Sequence, residues 1–255
     1  MAGRVVVVTG ASRGIGRAVV GELLALGDDV VVVGVARDAA QLQEVQDEYG
    51  ASKFQYLAGD VADVALHDSL KTFLTERYSR LDGLVANAGM LEPVAPLDQF
   101  LDAGSSWERH FSLNVFSVVS LVARLLPLLK QARGNIVAVS SGASVKPYAG
   151  WACYCASKAA LNSYTRSIAS EVPEVRAIAV APGVVATQMQ QHIRETLGPQ
   201  GMPAAALKRF TDLHTDGLLL DPHVPGRTIA RLALEGIPEQ LNGEYIRHDD
   251  QQLHQ

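Results

Sequence analysis

Short runs of apolar, mostly β-branched residues recur along this chain of 255 residues, and amphipathic segments separate them. Strands that are apolar on both faces and alternate with helices indicate a parallel sheet covered on both sides. Right-handed crossover connections make such a sheet doubly wound. The sequence therefore predicts an α/β fold with about seven strands, at residues 5–8, 30–35, 54–57, 84–86, 136–139, 178–180 and, more weakly, 244–246.

The segments between these runs repeat apolar residues every three or four positions, which predicts helices at 15–26, 41–49, 69–78, 107–129 and 156–170. From 188 to 225 there is no strand pattern, and glycines and prolines interrupt short helical pieces. This stretch follows the sixth run, at the sheet edge where doubly wound folds bind ligands. We predict a single domain over 1–255 with a substrate-pocket insert at about 188–225; a surface excursion without a role is the alternative.

The charge balance restricts the partners. With 22 basic and 27 acidic side chains the net charge is −5, which argues against nucleic acid or an anionic membrane. The initial run of four valines is too short for a signal peptide, and we expect no membrane helix. Cys153 and Cys155 are too close for a comfortable disulfide, so we expect a reducing, cytoplasmic location. The seven histidines lack metal-ligand spacing, so no metal is expected.

A glycine-rich turn, TGASRGIG at 9–16, joins the first run to a helix. Glycines let a backbone approach a pyrophosphate while free N–H groups of the new helix face the anion. The spacing departs from G-x-G-x-x-G, and such a turn is sometimes only a turn. At the first strand of an alternating chain, however, it indicates a Rossmann-type dinucleotide site, with Gly10, Ser12, Arg13, Gly14, Ile15 and Gly16 as its residues.

The residues after the second run bear on cofactor choice. A site for NAD usually offers a carboxylate there, whereas this chain has Arg37 followed by Asp38. Arg37 and Arg13 are suited to grip a 2′-phosphate through charge-assisted hydrogen bonds. Alternatively, Arg37 is a solvated residue beside a helix cap at Asp38. We favour NADP(H) over NAD(H).

A catalytic group is indicated by Tyr154 and Lys158, which share one helix face because they are four residues apart. A nearby ammonium lowers the pKa of a phenol, which otherwise lies near 10. Ser140 and Ser141 end the preceding strand and place a hydroxyl where a substrate carbonyl would bind. Asn114 is polar within an apolar stripe. The ordinary alternatives are an exposed Asn, a partly exposed Tyr and a surface Lys.

Together these residues resemble the short-chain dehydrogenase/reductase family over almost the whole chain. Within it the chain is most similar to carbonyl reductases of the sepiapterin reductase and fungal benzil reductase type. That closer resemblance rests on LVANAGMLEPV at 84–94, GWACYCASKAAL at 150–161 and AIAVAPGVVATQM at 177–189. The family motifs are matched at 9–16, Asp60-Val61, Asn87-Ala88-Gly89, Asn114, Ser141, Tyr154, Lys158, Pro182-Gly183 and Thr187.

The resemblance implies a role for each catalytic residue. Tyr154 is the proton donor, and Lys158 lowers its pKa and holds the nicotinamide ribose. Ser141 polarises the carbonyl; we choose it over Ser140 because the family serine lies thirteen residues before the tyrosine. Asn114 positions a water of the proton relay.

The resemblance also implies cofactor contacts. Asp60, beside Val61, bonds the adenine amino group, and Asn87, Ala88 and Gly89 line the adenine ribose. After the sixth run, Val185 and Thr187 contact the carboxamide, next to Pro182 and Gly183. Ala86 stands where the family often has a second asparagine, which loosens a local hydrogen-bond network.

The function implied is an NADPH-dependent carbonyl reductase that transfers hydride to a ketone or vicinal dicarbonyl, benzil-like or pterin-like. An NADP-dependent alcohol dehydrogenase is one alternative. A non-catalytic NADP-sensing regulator is another, although it would be expected to lack Tyr154 or Lys158. Trp151 either walls the substrate pocket or anchors its loop. Family members pair the helices at 107–129 and 156–170 across a two-fold axis, so a homodimer or homotetramer is expected.

Overall fold

The valine run near the start of the chain is β1, at the centre of a seven-stranded parallel sheet of order β3-β2-β1-β4-β5-β6-β7. The computed structural model describes residues 3–99 and 103–254. The predicted doubly wound sheet is confirmed, and every predicted strand is present. The strands are β1 Arg4–Thr9, β2 Val30–Ala36, β3 Phe54–Ala58, β4 Gly83–Ala86, β5 Asn135–Val139, β6 Arg176–Ala181 and β7 Tyr245–Arg247.

Both faces of the sheet are buried, which explains why its strands read as continuous apolar runs. Val6 and Val8 belong to one core cluster, whereas Val5 and Val7 belong to the other. The helices α1, α2 and α10 cover the first face, and α3, α5 and α6 cover the second. The helices are α1 Gly14–Ala25, α2 Ala39–Tyr49, α3 Val64–Arg77, α4 Ala103–Phe111, α5 Ser117–Ala132, α6 Ala152–Glu171, α7 Gln188–His192, α8 Gly198–Gly201, α9 Ala204–Thr215 and α10 His223–Leu234.

Aspartate caps set the start of two helices. The Asp38 carboxylate accepts a hydrogen bond from the Gln41 N–H at 3.0 Å, so Asp38 is the predicted N-cap of α2. Asp63 caps α3 in the same way by accepting from the Ala65 N–H at 2.9 Å. Because of this cap, α3 begins before the apolar periodicity that predicted it.

The helix predicted at 107–129 is longer and is interrupted. Helices α4 and α5 are joined by a π-helical turn, Ser112–Phe116, which contains Asn114. The sequence was expected to contain no stretch apolar enough for a membrane helix. By length and composition alone, Gly104–Ala132 is such a stretch. Half of its most apolar stretch is buried inside the fold, where it packs as a core helix.

The segment after β6 is built from short helices. Residues 188–215 form α7, a π-helical turn at Ile193–Leu197, α8 and α9. Residues 188–225, all of which the structure describes, contain no strand; Leu220 forms an isolated bridge with Val185, which precedes the segment. Helix α10 was not predicted, because Pro225 and Gly226 obscure the start of its periodicity.

Candidate active site

The phosphate loop has the geometry that a pyrophosphate site requires. Gly10 and Gly14 adopt positive φ values of 68° and 54°, which favour glycine. A Cβ atom on Gly16 would lie 2.1 Å from the Gly10 carbonyl oxygen, so a side chain there would collide with the turn. The first turn of α1 carries no acidic side chain, and its N-cap, Arg13, makes no side-chain cap bond. The N–H groups of this helix end therefore suit a phosphate anion.

The end of β4 is tied to this loop through Thr9. The Thr9 hydroxyl oxygen accepts hydrogen bonds from the N–H groups of Asn87 and Ala88, both at 3.0 Å. The Asn87 amide donates to the Thr9 carbonyl oxygen at 2.9 Å. These three bonds hold the predicted cofactor residues 87–89 against the loop, and Ala86, at the preceding position, lies in the core.

The loop after β6 approaches the phosphate loop from the other side. A Cβ atom on Gly14 would lie 3.3 Å from the Thr187 methyl carbon, and the Arg13 guanidinium donates a hydrogen bond to the Gln188 side chain. A cavity of about 600 Å³ opens here, lined in part by Arg13, Gly14, Arg17, Thr187 and Gln188. The structure thus brings together the predicted residues of the first and last cofactor segments.

The remaining cofactor candidates are placed at neighbouring strand ends. Arg37 is exposed after β2, while the Arg13 side chain contacts Gln188. Asp60 follows β3, and its carboxylate accepts from the Ala62 N–H at 2.9 Å. Val61 is buried, and Gly183, next to Pro182, has a φ of 83°.

The four predicted catalytic residues meet at the carboxyl edge of β4 and β5. Tyr154 and Lys158 are buried, with exposed fractions of 8% and 5%, and Asn114 is 1% exposed. The alternative interpretation, in which these three side chains are exposed at the surface, is therefore wrong. The Lys158 ammonium donates to the Val139 carbonyl oxygen at 2.7 Å. A Cβ atom on Gly89 would lie 3.3 Å from Asn114 Oδ1 and 3.7 Å from Lys158 Nζ, so this site adjoins the cofactor segment at 87–89.

Of the two serines after β5, only Ser141 contacts Tyr154. Its side chain lies close enough to the Tyr154 hydroxyl to lower the pKa of that phenol, and its Oγ accepts from the Ala143 N–H at 3.1 Å. Ser140 instead donates to Asn162 Oδ1 at 2.6 Å in the interior. Ser141, rather than Ser140, is therefore the serine that lies on the Tyr154 side of the strand end.

The pKa values of the buried pair move in opposite directions. Burial raises the pKa of Tyr154 to about 12, against a smaller lowering by the Ser141 side chain. Burial lowers the pKa of Lys158 to about 8. The expected lowering of the Tyr154 pKa by Lys158 is therefore not found, because desolvation of the phenol dominates and the ammonium is directed at Val139. Tyr154 thus holds its proton at neutral pH.

The Asn114 side chain is fixed in the π-helical turn by its hydrogen bonds. Its amide nitrogen donates to the Met90 carbonyl oxygen and its oxygen accepts from the Met90 N–H, both at 2.9 Å. The same amide nitrogen lies 2.8 Å from Nε2 of His110. His110 was not among the residues predicted from the sequence, although its position one turn before Asn114 was a usable signal.

Trp151 lies in a stack of three aromatic rings beside Tyr154. Its ring centroid is 4.9 Å from that of Tyr148 and 5.2 Å from that of Phe210 in α9. The Tyr154 ring meets Trp151 edge-on at 5.8 Å. Trp151 therefore anchors the segment after β6 to the catalytic helix. Tyr148 and Phe210 were missed because their proximity depends on the path of that segment.

Metal-ligating side chains do not cluster in the described parts of the chain: residues 3–99 and 103–254 contain no group of three or more His, Cys, Asp or Glu placed to hold an ion. The chemistry of the site described above rests on hydroxyl, ammonium and amide groups.

Comparison with known proteins gives a consistent result. Residues 4–198 match the model of the short chain dehydrogenase family. The benzil reductase ((S)-benzoin forming) of Saccharomyces cerevisiae is 53% identical over 257 residues, covering 98% of each chain. A crystal structure of a short chain dehydrogenase/reductase from the same yeast, 44% identical, superposes with a TM-score of 0.96 over 98% of each chain. Another yeast structure, described as a cytoplasmic protein with unknown function, is 42% identical, with a TM-score of 0.84 over 99% of this chain and 98% of that one.

Proposed function

This chain belongs to the short chain dehydrogenase family of oxidoreductases, and we propose that it is an NADPH-dependent carbonyl reductase in which Tyr154 donates the proton. One observation carries this proposal: the buried Tyr154 side chain lies beside Ser141, which lowers the pKa of its phenol, and one helical turn from the buried Lys158. A regulator without turnover has no need of a buried phenol and ammonium, because burying both groups has a free-energy cost.

The phosphate loop and the strand ends around it fit a dinucleotide. The positive-φ glycines, the open end of α1 and the Thr187 loop form a cradle, and its turn is so tight that a side chain at Gly16 would collide with the Gly10 carbonyl oxygen. NADPH, when bound, supplies the hydride that reduces the carbonyl carbon. We assign the 2′-phosphate to Arg13 and Arg37, and the rest of the cofactor to the segments at 60–61, 87–89 and 182–187, with Lys158 at the nicotinamide ribose.

The chain's own residues then complete the reduction. The Ser141 hydroxyl donates a hydrogen bond to the substrate carbonyl oxygen and stabilises the negative charge that develops there. Tyr154 transfers its phenolic proton to that oxygen, so hydride and proton together convert the carbonyl to an alcohol. The Lys158 ammonium stabilises the phenolate that remains, and Asn114 holds the water that returns a proton.

The proposed substrate class rests on the similarity to a yeast enzyme and on the aromatic side chains around Tyr154. The yeast relative is named a benzil reductase, and its similarity extends over nearly the whole chain. Beside Tyr154, the rings of Trp151, Tyr148 and Phe210 form an aromatic wall suited to aryl groups. We therefore assign a bulky ketone or vicinal dicarbonyl, benzil-like or pterin-like, as the substrate, with the segment at 188–225 shaping its pocket.

Loss of NADPH absorbance across diketones, aryl ketones and pterins tests this function. We expect the vicinal diaryl diketone benzil to be reduced, and a pterin dicarbonyl serves as the second substrate class. Absence of turnover with every member of this panel, at saturating NADPH, would refute the proposal. We place the protein in the cytoplasm as a homodimer or homotetramer that binds neither nucleic acid nor membrane.

A further inference from the structure

His110 is a fully buried histidine beside Asn114 and Tyr154, and no step of the proposed mechanism involves it. It lies one helical turn before Asn114. Its Nδ1 is 2.5 Å from the Glu92 carbonyl oxygen, and its Nε2 is 2.8 Å from the Asn114 amide nitrogen and 2.9 Å from Ser157 Oγ. Its ring also meets the Tyr154 ring edge-on, with 6.0 Å between centroids.

These contacts determine which ring nitrogen carries the proton. A backbone carbonyl only accepts hydrogen bonds, so Nδ1 must donate to Glu92. The Asn114 amide is oriented by its two bonds to Met90, and its nitrogen only donates, so Nε2 must accept. The ring is therefore neutral, with its proton on Nδ1.

The surroundings favour this neutral form. The titratable or charged groups that face the ring are Lys158 and Tyr154 from α6 and Glu92 from the loop after β4. Burial, and to a smaller extent the charge of Lys158, lower the pKa of His110, while the Glu92 carbonyl hydrogen bond opposes them. A protonated ring would turn an N–H toward the Asn114 N–H, and two donors would face each other.

Both halves of the catalytic group are attached to this ring. Through Nε2 it accepts from the Asn114 amide, and the same amide nitrogen lies 3.4 Å from Ser157 Oγ. The Ser157 hydroxyl donates its one proton to the Tyr154 carbonyl oxygen at 2.8 Å, so Ser157 only packs against the neutral ring, and the ring contacts Tyr154 directly through its edge-on packing. Through Nδ1 the ring holds the loop that carries Met90 and Glu92. We infer that His110, as the neutral Nδ1–H tautomer, is a positioning residue that sets the geometry of Asn114 and Tyr154 for proton transfer. This inference rests on the proposed reductase function.

Two substitutions separate positioning from general stability. His110→Phe keeps a ring but removes both hydrogen bonds; we expect kcat to fall about 10- to 100-fold, as misplacement of catalytic groups does, while KM for NADPH changes little. His110→Gln offers one donor and one acceptor without a titratable ring. In the wild type, kcat should decline at acid pH, because a protonated His110 can no longer accept from the Asn114 amide. We expect His110→Gln to keep kcat within about threefold of wild type and to lack this decline.

His67 provides the matched control. It is also buried, with Nδ1 3.0 Å from Ser120 Oγ and Nε2 2.8 Å from the Val61 carbonyl oxygen, but it lies in α3. His67→Gln should leave kcat and its acid limb unchanged at saturating NADPH. If His110→Phe keeps wild-type kcat, or His110→Gln is equally impaired and keeps the wild-type pH profile, the inference is overturned.

A measurement without turnover separates this inference from the proposed function. Nitrogen-15 NMR of the histidine-labelled chain, with the His110 signals identified by their loss in His110→Gln, reports the tautomer directly. We expect a neutral Nδ1–H ring at neutral pH, and an Nε2–H or charged ring would overturn the inference. If the tautomer is as expected and no carbonyl compound is reduced by the wild-type protein, the proposed function fails and with it the positioning role.

Discussion

The Nζ atom of Lys158 lies 5.7 Å from the ring centroid of Tyr154, and both side chains are buried. Burial disfavours the charged form of each group, so it raises the pKa of the phenol to about 12 and lowers that of the ammonium to about 8. Of the two, only Lys158 therefore titrates in the range where enzyme assays are made.

The first prediction concerns alkaline pH. The value of kcat/KM for NADPH reports ionisations of the free enzyme. Because Lys158 is charged only below its pKa of about 8, this value should fall as pH rises through about 8. The decline should approach tenfold per pH unit, while Tyr154 keeps its proton throughout. Steady-state kinetics from pH 6 to 10, with circular dichroism as a folding control, test this. A level profile would contradict it.

The second prediction concerns the proton donor. Tyr154→Phe keeps the ring in its contacts with Trp151 and His110 but removes the acidic proton. Turnover should fall by at least about 100-fold, the range of general acid catalysis, while NADPH binds with nearly unchanged affinity. Tyr164→Phe, in the same helix, is the control and should behave as wild type. Wild-type turnover in Tyr154→Phe would exclude the mechanism.

The third prediction concerns cofactor choice. Arg37 is exposed, so its substitution should not disturb the core. If it binds the 2′-phosphate, Arg37→Ala should weaken NADPH binding by about 10- to 150-fold, the equivalent of one charge-assisted contact. NADH binding should not change. Fluorescence titration with both cofactors measures this, with Arg77→Ala as a surface control. Equal weakening toward NADPH and NADH would show that Arg37 acts through folding.

The positions of the strands were predictable because burial on both faces of the sheet imposes a continuous apolar run that is visible in the sequence. Val5–Val8 and the run at 136–139 have no competing interpretation as amphipathic helices. Helix ends were predicted less well, since caps such as Asp63 lie outside the periodic pattern. The π-helical turn around Asn114 was not predictable, because its extra residue leaves no local composition signal.

The candidate site also has features that were predictable from the sequence and features that were not. Residues fixed by short spacing along one element, Tyr154 with Lys158, could be paired from the sequence. Their pKa values could not, since desolvation depends on everything packed around them. His110 and Phe210 reach the site only because distant elements, the Glu92 loop and α9, fold against the catalytic helix.

An exposed apolar stripe on α5 and the turn before it bears on the oligomeric state. Phe116 is 58% exposed, and the exposed residues Val119, Ala123 and Pro127 follow at helical spacing. On α6 the small residues Ala159, Ser163 and Ser167 are also exposed, which leaves room for another helix to approach closely. Because they are exposed, these three side chains do not pack against the chain's own sheet, which was the alternative interpretation.

The last prediction follows from these two faces. An isologous contact uses one patch twice, so a stripe of apolar and small residues on adjacent helices suffices to pair two copies. Light scattering at micromolar concentration should give two or four times the 27.2 kDa of one chain. Phe116→Asp should reduce the mass toward that of one chain, because a charge would be buried at the contact. Leu218→Asp is the control, since Leu218 is equally exposed at 61% but lies outside both helices. A mass of one chain that persists as concentration rises would refute the dimer, and an unchanged mass in Phe116→Asp would place the contact elsewhere.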